Sequence, residues 1–112
     1  MWKLIEKTEI LVVVALAGPL DSSTAPALET ELAGLVHAGH RYLVLDFAEV
    51  TLLASDGLKL LLRLETLCRK SEGALALATV PEAAQRVLEL AGFAPHFRAY
   101  ADVAAARTAL EG

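Results

Sequence analysis

The chain has 112 residues, of which 55% are hydrophobic and 21% charged, and its formal net charge is −4. This length suits one domain with a real hydrophobic core, so we predict a single domain over residues 1–112. The negative charge and the lack of long Lys/Arg clusters argue against nucleic acid as a partner. No apolar run approaches the roughly 18 residues of a membrane-spanning helix, and no signal peptide is evident. We therefore expect a cytoplasmic protein without membrane insertion.

The side chains that usually carry catalysis form no recognisable constellation. The single cysteine, Cys68, permits no internal disulfide, and its helical setting predicts a core residue. His37, His40 and His96 lack a regular metal-ligand spacing. No nucleophile elbow, phosphate loop or dinucleotide-binding glycine motif occurs. The sequence therefore predicts neither an enzyme nor a bound cofactor or metal.

The first half of the chain predicts two strands and a helix. Residues Trp2–Lys7 alternate weakly, which favours a short edge strand. Ile10–Ala17 is apolar on both faces, as in a strand covered on both sides, and Gly18-Pro19 is expected to close it. N-cap candidates at 21–24 precede a helix that is expected to end near Gly39.

Three further units follow the same pattern. Tyr42–Phe47 is predicted as a buried strand, 48–56 as a connection, and a leucine-rich helix is expected from near Gly57 to about Lys70. The apolar surface of this helix is wide enough to pack on a sheet and also to touch something else. The later predicted elements are a third buried strand at Ala74–Thr79, a helix opened by Pro81 and closed by Gly92, a small edge strand at Phe97–Tyr100, and a last helix capped by Asp102. The order strand–helix–strand predicts an α/β fold, a mixed four- to five-stranded sheet with about four helices.

A short turn between the second buried strand and the leucine-rich helix concentrates polar groups. Ser55 and Asp56 stand just before Gly57, where a helix presents free N–H groups and the positive end of its dipole. Negative charge, including phosphate, is readily held there. Asp21, Asp46 and Asp56 each follow or end a predicted strand, where sites gather in parallel sheets. Helix and turn capping is an equally good explanation of these carboxylates.

Several segments together resemble a STAS domain of the anti-sigma factor antagonist (anti-anti-sigma factor) family. Gly18-Pro19-Leu20-Asp21 resembles the family's Gly-x-Leu-Asp, and 43–50 resembles its Leu-Asp-Leu-x-x-Val strand. Residues 54–58 read Ala-Ser-Asp-Gly-Leu where the family typically has Asp-Ser-Ser-Gly-Leu. Residues 81–93 resemble its proline-started helix, which ends in Gly-Phe or Gly-Leu. The resemblance covers nearly the whole chain.

The resemblance implies a non-enzymatic switch for bacterial signalling. Such domains bind an anti-sigma factor, often a serine kinase of the histidine-kinase-like ATPase group, and so free a sigma factor for transcription. The kinase phosphorylates the second serine of Asp-Ser-Ser-Gly, which ends binding. A phosphate adds nearly two negative charges at a packed interface, and this costs desolvation and repels acidic neighbours.

The chain departs from the family at the phosphorylation position. Asp56 replaces the acceptor serine, Ala54 replaces the preceding aspartate, and Ser55 matches the serine that is not the usual acceptor. Three hypotheses follow: Asp56 mimics phosphoserine, or Asp56 only shifts the acidic residue and leaves an unregulated binder, or Ser55 is the acceptor. We favour the second, because a carboxylate carries about one charge against nearly two. The third ranks last, because a Ser55 that points inward or caps the helix is beyond a kinase's reach.

The predicted partner-binding surface combines the two acidic turns with the second helix. It comprises Asp21, Ser22, Ser55, Asp56, Gly57, Leu58, Lys59, Leu60 and Arg63. If the strands before Asp21 and Asp56 are adjacent, these carboxylates form an acidic rim beside an apolar ridge. Leu60 is the doubtful member, because a plain core position explains Leu60, Leu64 and Leu67 better than a binding role does.

Two other functions and one assembly stay open. STAS-like domains also brace the ATPase of lipid-transport ABC systems, and a small-molecule or nucleotide-binding sensor module is a further alternative. The absence of a phosphate loop and the negative charge of Asp56 weigh against nucleotides. The apolar second helix and the N-terminal strand are compatible with a homodimer.

Overall fold

The fold is built on one five-stranded sheet in which the strand order follows the chain order. The structure is a computed structural model that describes residues 2–111. The strands are β1 (Trp2–Lys7), β2 (Leu11–Leu20), β3 (Tyr42–Leu53), β4 (Ala74–Ala78) and β5 (Arg98–Tyr100). Strand β1 runs antiparallel to β2, and the other neighbouring pairs are parallel. The predicted mixed α/β sheet is therefore confirmed.

Within residues 2–111, four α-helices cover the two faces of this sheet unequally. They are α1 (Ala25–His37), α2 (Ser55–Lys70), α3 (Glu82–Leu90) and α4 (Val103–Glu111), and a short 3-10 turn (Ala94–His96) precedes β5. The larger core lies between one face and α1, α2 and α3, whereas α4 packs on the other face through Ala106. None of the helices in residues 2–111 has the length and apolarity needed to cross a membrane.

The alternation of side chains along the central strands produces the two cores. Val12 and Val14 of β2 face the larger core, while Val13 faces the smaller one, and all three are fully buried. Leu43 and Val44 divide in the same way in β3. A strand buried on both faces needs apolar residues at every position, which is why these segments read as continuous apolar runs.

Strands β2 and β3 both extend beyond their predicted ends. The prediction of a connection after Phe47 is wrong, because β3 has 12 residues and its second half pairs with the end of β2. Likewise, Gly18-Pro19 does not close β2, since Pro19 lies opposite Leu52 within the ladder. Proline is tolerated there because, within residues 2–111, Pro19 pairs with β3 on one side and with no strand on the other.

The ends of the chain are tied together by an ion pair. Arg107 of α4 donates a 2.7 Å hydrogen bond to Glu6 of β1, and it also pairs with Glu111 one turn along its own helix. Asp102 accepts a hydrogen bond from the backbone N–H of Ala105 and so caps the start of α4, as predicted. The bond to Glu6 ties α4 to the sheet, whereas the other two contacts stabilise the helix itself.

Candidate functional site

The β2–α1 turn and the start of α2 lie against each other at one edge of the sheet. Leu20, the last residue of β2, pairs with Leu53 of β3, and the backbone N–H of Ala54 donates a 2.9 Å hydrogen bond to the Leu20 carbonyl oxygen. A Cβ atom placed on Gly57 would lie 2.8 Å from that same oxygen. Only glycine leaves room for this approach, so the segments that carry Asp21 and Asp56 are held side by side.

The β2–α1 turn is fixed by a set of short hydrogen bonds. The Asp21 carboxylate accepts from the backbone N–H of Ser23 at 2.9 Å and from its hydroxyl at 2.7 Å. The Thr24 hydroxyl donates to the Pro19 carbonyl oxygen at 2.8 Å and accepts from the backbone N–H of Asp21 at 3.1 Å. The hydrogen bonds from Ser23, its hydroxyl foremost, lower the pKa of Asp21 below its usual value of 3.8. The turn therefore presents a fixed, ionised carboxylate.

The start of α2 presents both residues of the predicted phosphorylation position. The N-cap residue is Ala54, which has no polar side chain, and Ser55 is exposed as the first helical residue. The expectation that Ser55 points inward or caps the helix is therefore wrong. The Asp56 side chain is 45% exposed, and its carboxylate lies 3.9 Å from the ammonium group of Lys59. Asp56 also adjoins the positive end of the helix dipole.

Three of the predicted surface residues are buried. Leu60 is fully buried in the larger core, so its place in the binding surface was wrong. Leu58 is only 9% exposed, and Gly57 contacts Leu20. The physical reason is that α2 packs against both the sheet and α1, which was the second neighbour implied by its wide apolar surface. The remaining members are exposed or half-buried, and we call this set the acidic-turn surface: Asp21, Ser22, Ser55, Asp56, Lys59 and Arg63.

Arg63 is held by a partner inside the domain. Its guanidinium donates two hydrogen bonds of 2.8 Å to the two carboxylate oxygens of Glu29 on α1. The bonds to Glu29 raise the pKa of Arg63 above its usual value. This bidentate ion pair links α1 to α2. The charge of Arg63 is thus already paired within the domain, and its main role in the acidic-turn surface is to hold the two helices together.

An apolar pocket that the sequence reasoning missed opens beside the β2–α1 turn. It has a volume of about 240 Å³ and is lined by Trp2, Leu20, Ser23, Thr24, Ala27 and Leu28. The signal that was available for it was Trp2, a large aromatic side chain on a strand expected at the sheet edge.

A larger pocket lies away from the two acidic turns, at the carboxyl ends of β4 and β5 and beside Ala48 in the middle of β3. Its volume is about 450 Å³, and its lining includes Ala48, Thr79 and Tyr100. Thr79 adopts a positive φ of 54° at the end of β4. None of the predicted site residues lines this pocket, so it stands apart from the acidic-turn surface.

Comparison with known proteins identifies the fold and the family. The family model described as the STAS domain matches residues 2–106. BtrV of Bordetella bronchiseptica, named for a proposed role as an anti-sigma factor antagonist, is 32% identical over 88 residues, which are 79% of this chain and 76% of BtrV.

Solved structures agree with this assignment. An anti-sigma factor antagonist from Mycobacterium paratuberculosis superposes with a TM-score of 0.86 at 28% identity, covering 100% of this chain and 96% of that one. The antagonist SpoIIAA in its unphosphorylated form gives a TM-score of 0.81 at 19% identity over 94% of this chain and 92% of its own, which shows the shared fold. SpoIIAA has also been solved in a phosphorylated form, with a TM-score of 0.76 at 17% identity over 97% of this chain and 99% of its own. The chain thus belongs to the STAS domain family, among the anti-sigma factor antagonists.

Proposed function

We propose that this domain binds an anti-sigma factor through the acidic-turn surface and thereby frees a sigma factor, without catalysing a reaction itself. The partner would be a cytoplasmic serine kinase of the histidine-kinase-like ATPase group. Two observations support the proposal: the relatedness to proteins named as antagonists, and the close approach of Gly57 to Leu20 that brings the two turns side by side.

The observation that carries the regulatory part of the proposal is the half-exposed carboxylate of Asp56 at the family's acceptor position. We propose that binding is not switched at this position. A phosphoserine there would bring nearly two negative charges, whereas Asp56 brings about one. Lys59, at 3.9 Å, and the N-terminal end of α2 offset part of that single charge. Asp56 is therefore a weak copy of the phosphorylated state.

Ser55 is the rival site for regulation, because its exposure leaves it accessible to a kinase. Phosphate on Ser55 would stand next to the Asp56 carboxylate and would add to the negative charge there. Incubation with the kinase and ATP, followed by mass spectrometry, decides the matter. We expect no phosphate on Ser55, because the kinases of the family modify the next position, which here is Asp56. A stoichiometric phosphoserine at position 55 would replace unregulated binding by regulation one residue upstream of the usual acceptor.

The binding experiment uses each histidine-kinase-like ATPase of the source organism, purified and titrated calorimetrically with the wild type, Asp56→Ala and Asp56→Ser. We expect one ATPase to bind wild type and Asp56→Ala alike, with or without ATP. Asp56→Ser should bind as well, and should lose binding when ATP is present because it restores an acceptor. Tight binding by Asp56→Ala alone would instead make Asp56 a built-in phosphomimic. If no ATPase binds wild type but a transporter ATPase does, the proposed function is wrong.

A further inference from the structure

We propose that the pocket of about 240 Å³ between β1 and α1 receives one apolar side chain of the partner, flanked in the partner by basic residues. This inference rests on the proposed function and deepens it by naming the chemistry that the partner presents. Trp2 of β1, Leu20 of β2, and Ala27 and Leu28 of α1 supply the apolar walls. We call this cavity the anchor pocket.

The anchor pocket is continuous with the acidic-turn surface through two shared residues. Leu20 lines the pocket and also touches Gly57 at the start of α2. Ser23 lines the pocket and donates its hydroxyl to the Asp21 carboxylate at 2.7 Å. A partner that contacts Asp21 and Asp56 is therefore already within reach of the pocket mouth.

The chemistry of the lining selects an apolar occupant. The pocket's two hydroxyl groups are already engaged within the domain, because that of Ser23 bonds to Asp21 and that of Thr24 bonds to the Pro19 carbonyl oxygen at 2.8 Å. A polar occupant would lose its hydration with little to replace it. The volume also lies below the roughly 300–1,000 Å³ of pockets that hold drug-sized ligands. One aliphatic or aromatic side chain fits this size better than a metabolite.

The charges around the mouth select basic flanking residues. Asp21 is ionised and is tied to the pocket by the hydroxyl of the lining residue Ser23, which donates to its carboxylate. Glu31 is exposed on α1 one helical turn beyond Ala27. Carboxylates beside an apolar cavity favour a partner with Arg or Lys next to its anchor, and they disfavour an acidic one. The Trp2 side chain, 36% exposed in the free domain, supplies the aromatic wall that is typical of strong contact points.

The test fills the pocket from a residue that folding does not need. Ala27 is exposed near the start of α1, and Ala27→Phe places a ring in the cavity. The matched control is Ala83→Phe, which adds the same ring at an exposed position near the start of α3. Circular dichroism and urea unfolding of both variants first establish that each remains folded. The ATPase that binds the wild-type domain is then titrated with both.

We expect Ala27→Phe to weaken this binding by at least about tenfold, which corresponds to about 1.4 kcal/mol, and Ala83→Phe to leave it unchanged. Equal binding by wild type and Ala27→Phe overturns the anchor pocket while the proposed function stands. A loss in both variants also overturns it, because the effect is then not specific to the pocket.

A second measurement keeps the inference testable if no ATPase binds and the proposed function falls. The probe is the peptide acetyl-Arg-Gly-Leu-Gly-Arg-amide, titrated into the isotope-labelled domain beside a control peptide with glycine for leucine. We expect saturable shifts of the Trp2 indole and the Ala27 amide with the leucine peptide alone, and none in Ala27→Phe. Absence of these shifts refutes the pocket as a partner's anchor site. The same shifts on concentrating the domain without peptide also refute it, because a second copy then fills the pocket.

Discussion

Replacing Gly57 by alanine tests the contact that joins the two turns. In most helices this change is favourable, because alanine is preferred over glycine by about 1 kcal/mol. At Gly57 the new Cβ would lie 2.8 Å from the Leu20 carbonyl oxygen and 2.9 Å from both the Leu20 Cβ and a Leu53 methyl group. Two of these atoms are backbone or directly attached to it and cannot swing away, so the overpacking cost should approach about 3 kcal/mol. The expected net loss of stability is therefore about 2 kcal/mol.

The assay is urea unfolding of Gly57→Ala beside Gly34→Ala, both followed by circular dichroism. Gly34 lies in α1, and a Cβ added there would meet no atom within 4 Å, so the same substitution should stabilise the domain by about 0.5–1 kcal/mol. The two variants should thus shift the unfolding midpoint in opposite directions. If Gly57→Ala proves as stable as Gly34→Ala, the close approach of α2 to Leu20 does not constrain the molecule, and the overpacking explanation is refuted.

Three further predictions concern single side chains. Leu60→Ala should cost about 2–5 kcal/mol in urea unfolding, because the side chain is fully buried, and a surface-like cost under about 0.5 kcal/mol would contradict the core assignment. Cys68 should react slowly with a thiol reagent at pH 8 in the native state, because burial raises its pKa to about 12; reaction as fast as in urea would contradict this. In an NMR titration the Asp21 carboxyl should have a pKa below 3.8, and Ser23→Ala should raise it. The pKa of Asp21 is lower in the folded state than in the unfolded state. Its carboxylate therefore stabilises the domain fully at pH values above the unfolded-state pKa, and this stabilisation is lost as the pH falls through the folded-state pKa.

The buried strands and the helices were predictable because each has a recognisable pattern of apolar residues in its own local sequence. The double-sided apolar run at the start of β2 and the helical spacing of α1 needed no tertiary information. The second half of β3 was not predictable, since Ala48, Glu49, Thr51 and Leu52 are exposed and carry no strict alternation. What makes that segment a strand is its pairing with the end of β2, across two register shifts in the ladder.

The candidate site likewise has features that the sequence predicts and features that it does not. The two acidic turns were predictable, because parallel strands bring their carboxyl ends to one edge. The burial of each residue was not predictable, as Leu60 shows. Helix α2 packs against both the sheet and α1, and helical spacing alone does not reveal which of its faces are covered. The anchor pocket depends on Trp2 of β1 meeting Ala27 of α1, two segments that are distant in sequence.

The position of α4 has a consequence for how the chain is made. Because the strand order follows the chain order, each new strand leaving the ribosome finds its neighbour already in place. The face built from Leu11, Val13, Val44 and Ala76, however, waits for Ala106, which is synthesised last of these. Until then the nascent domain carries an uncovered apolar surface, which is the kind of surface that chaperones bind and that aggregates. Synthesis that stalls before α4 should therefore yield an aggregation-prone, protease-sensitive product, although its sheet is nearly complete.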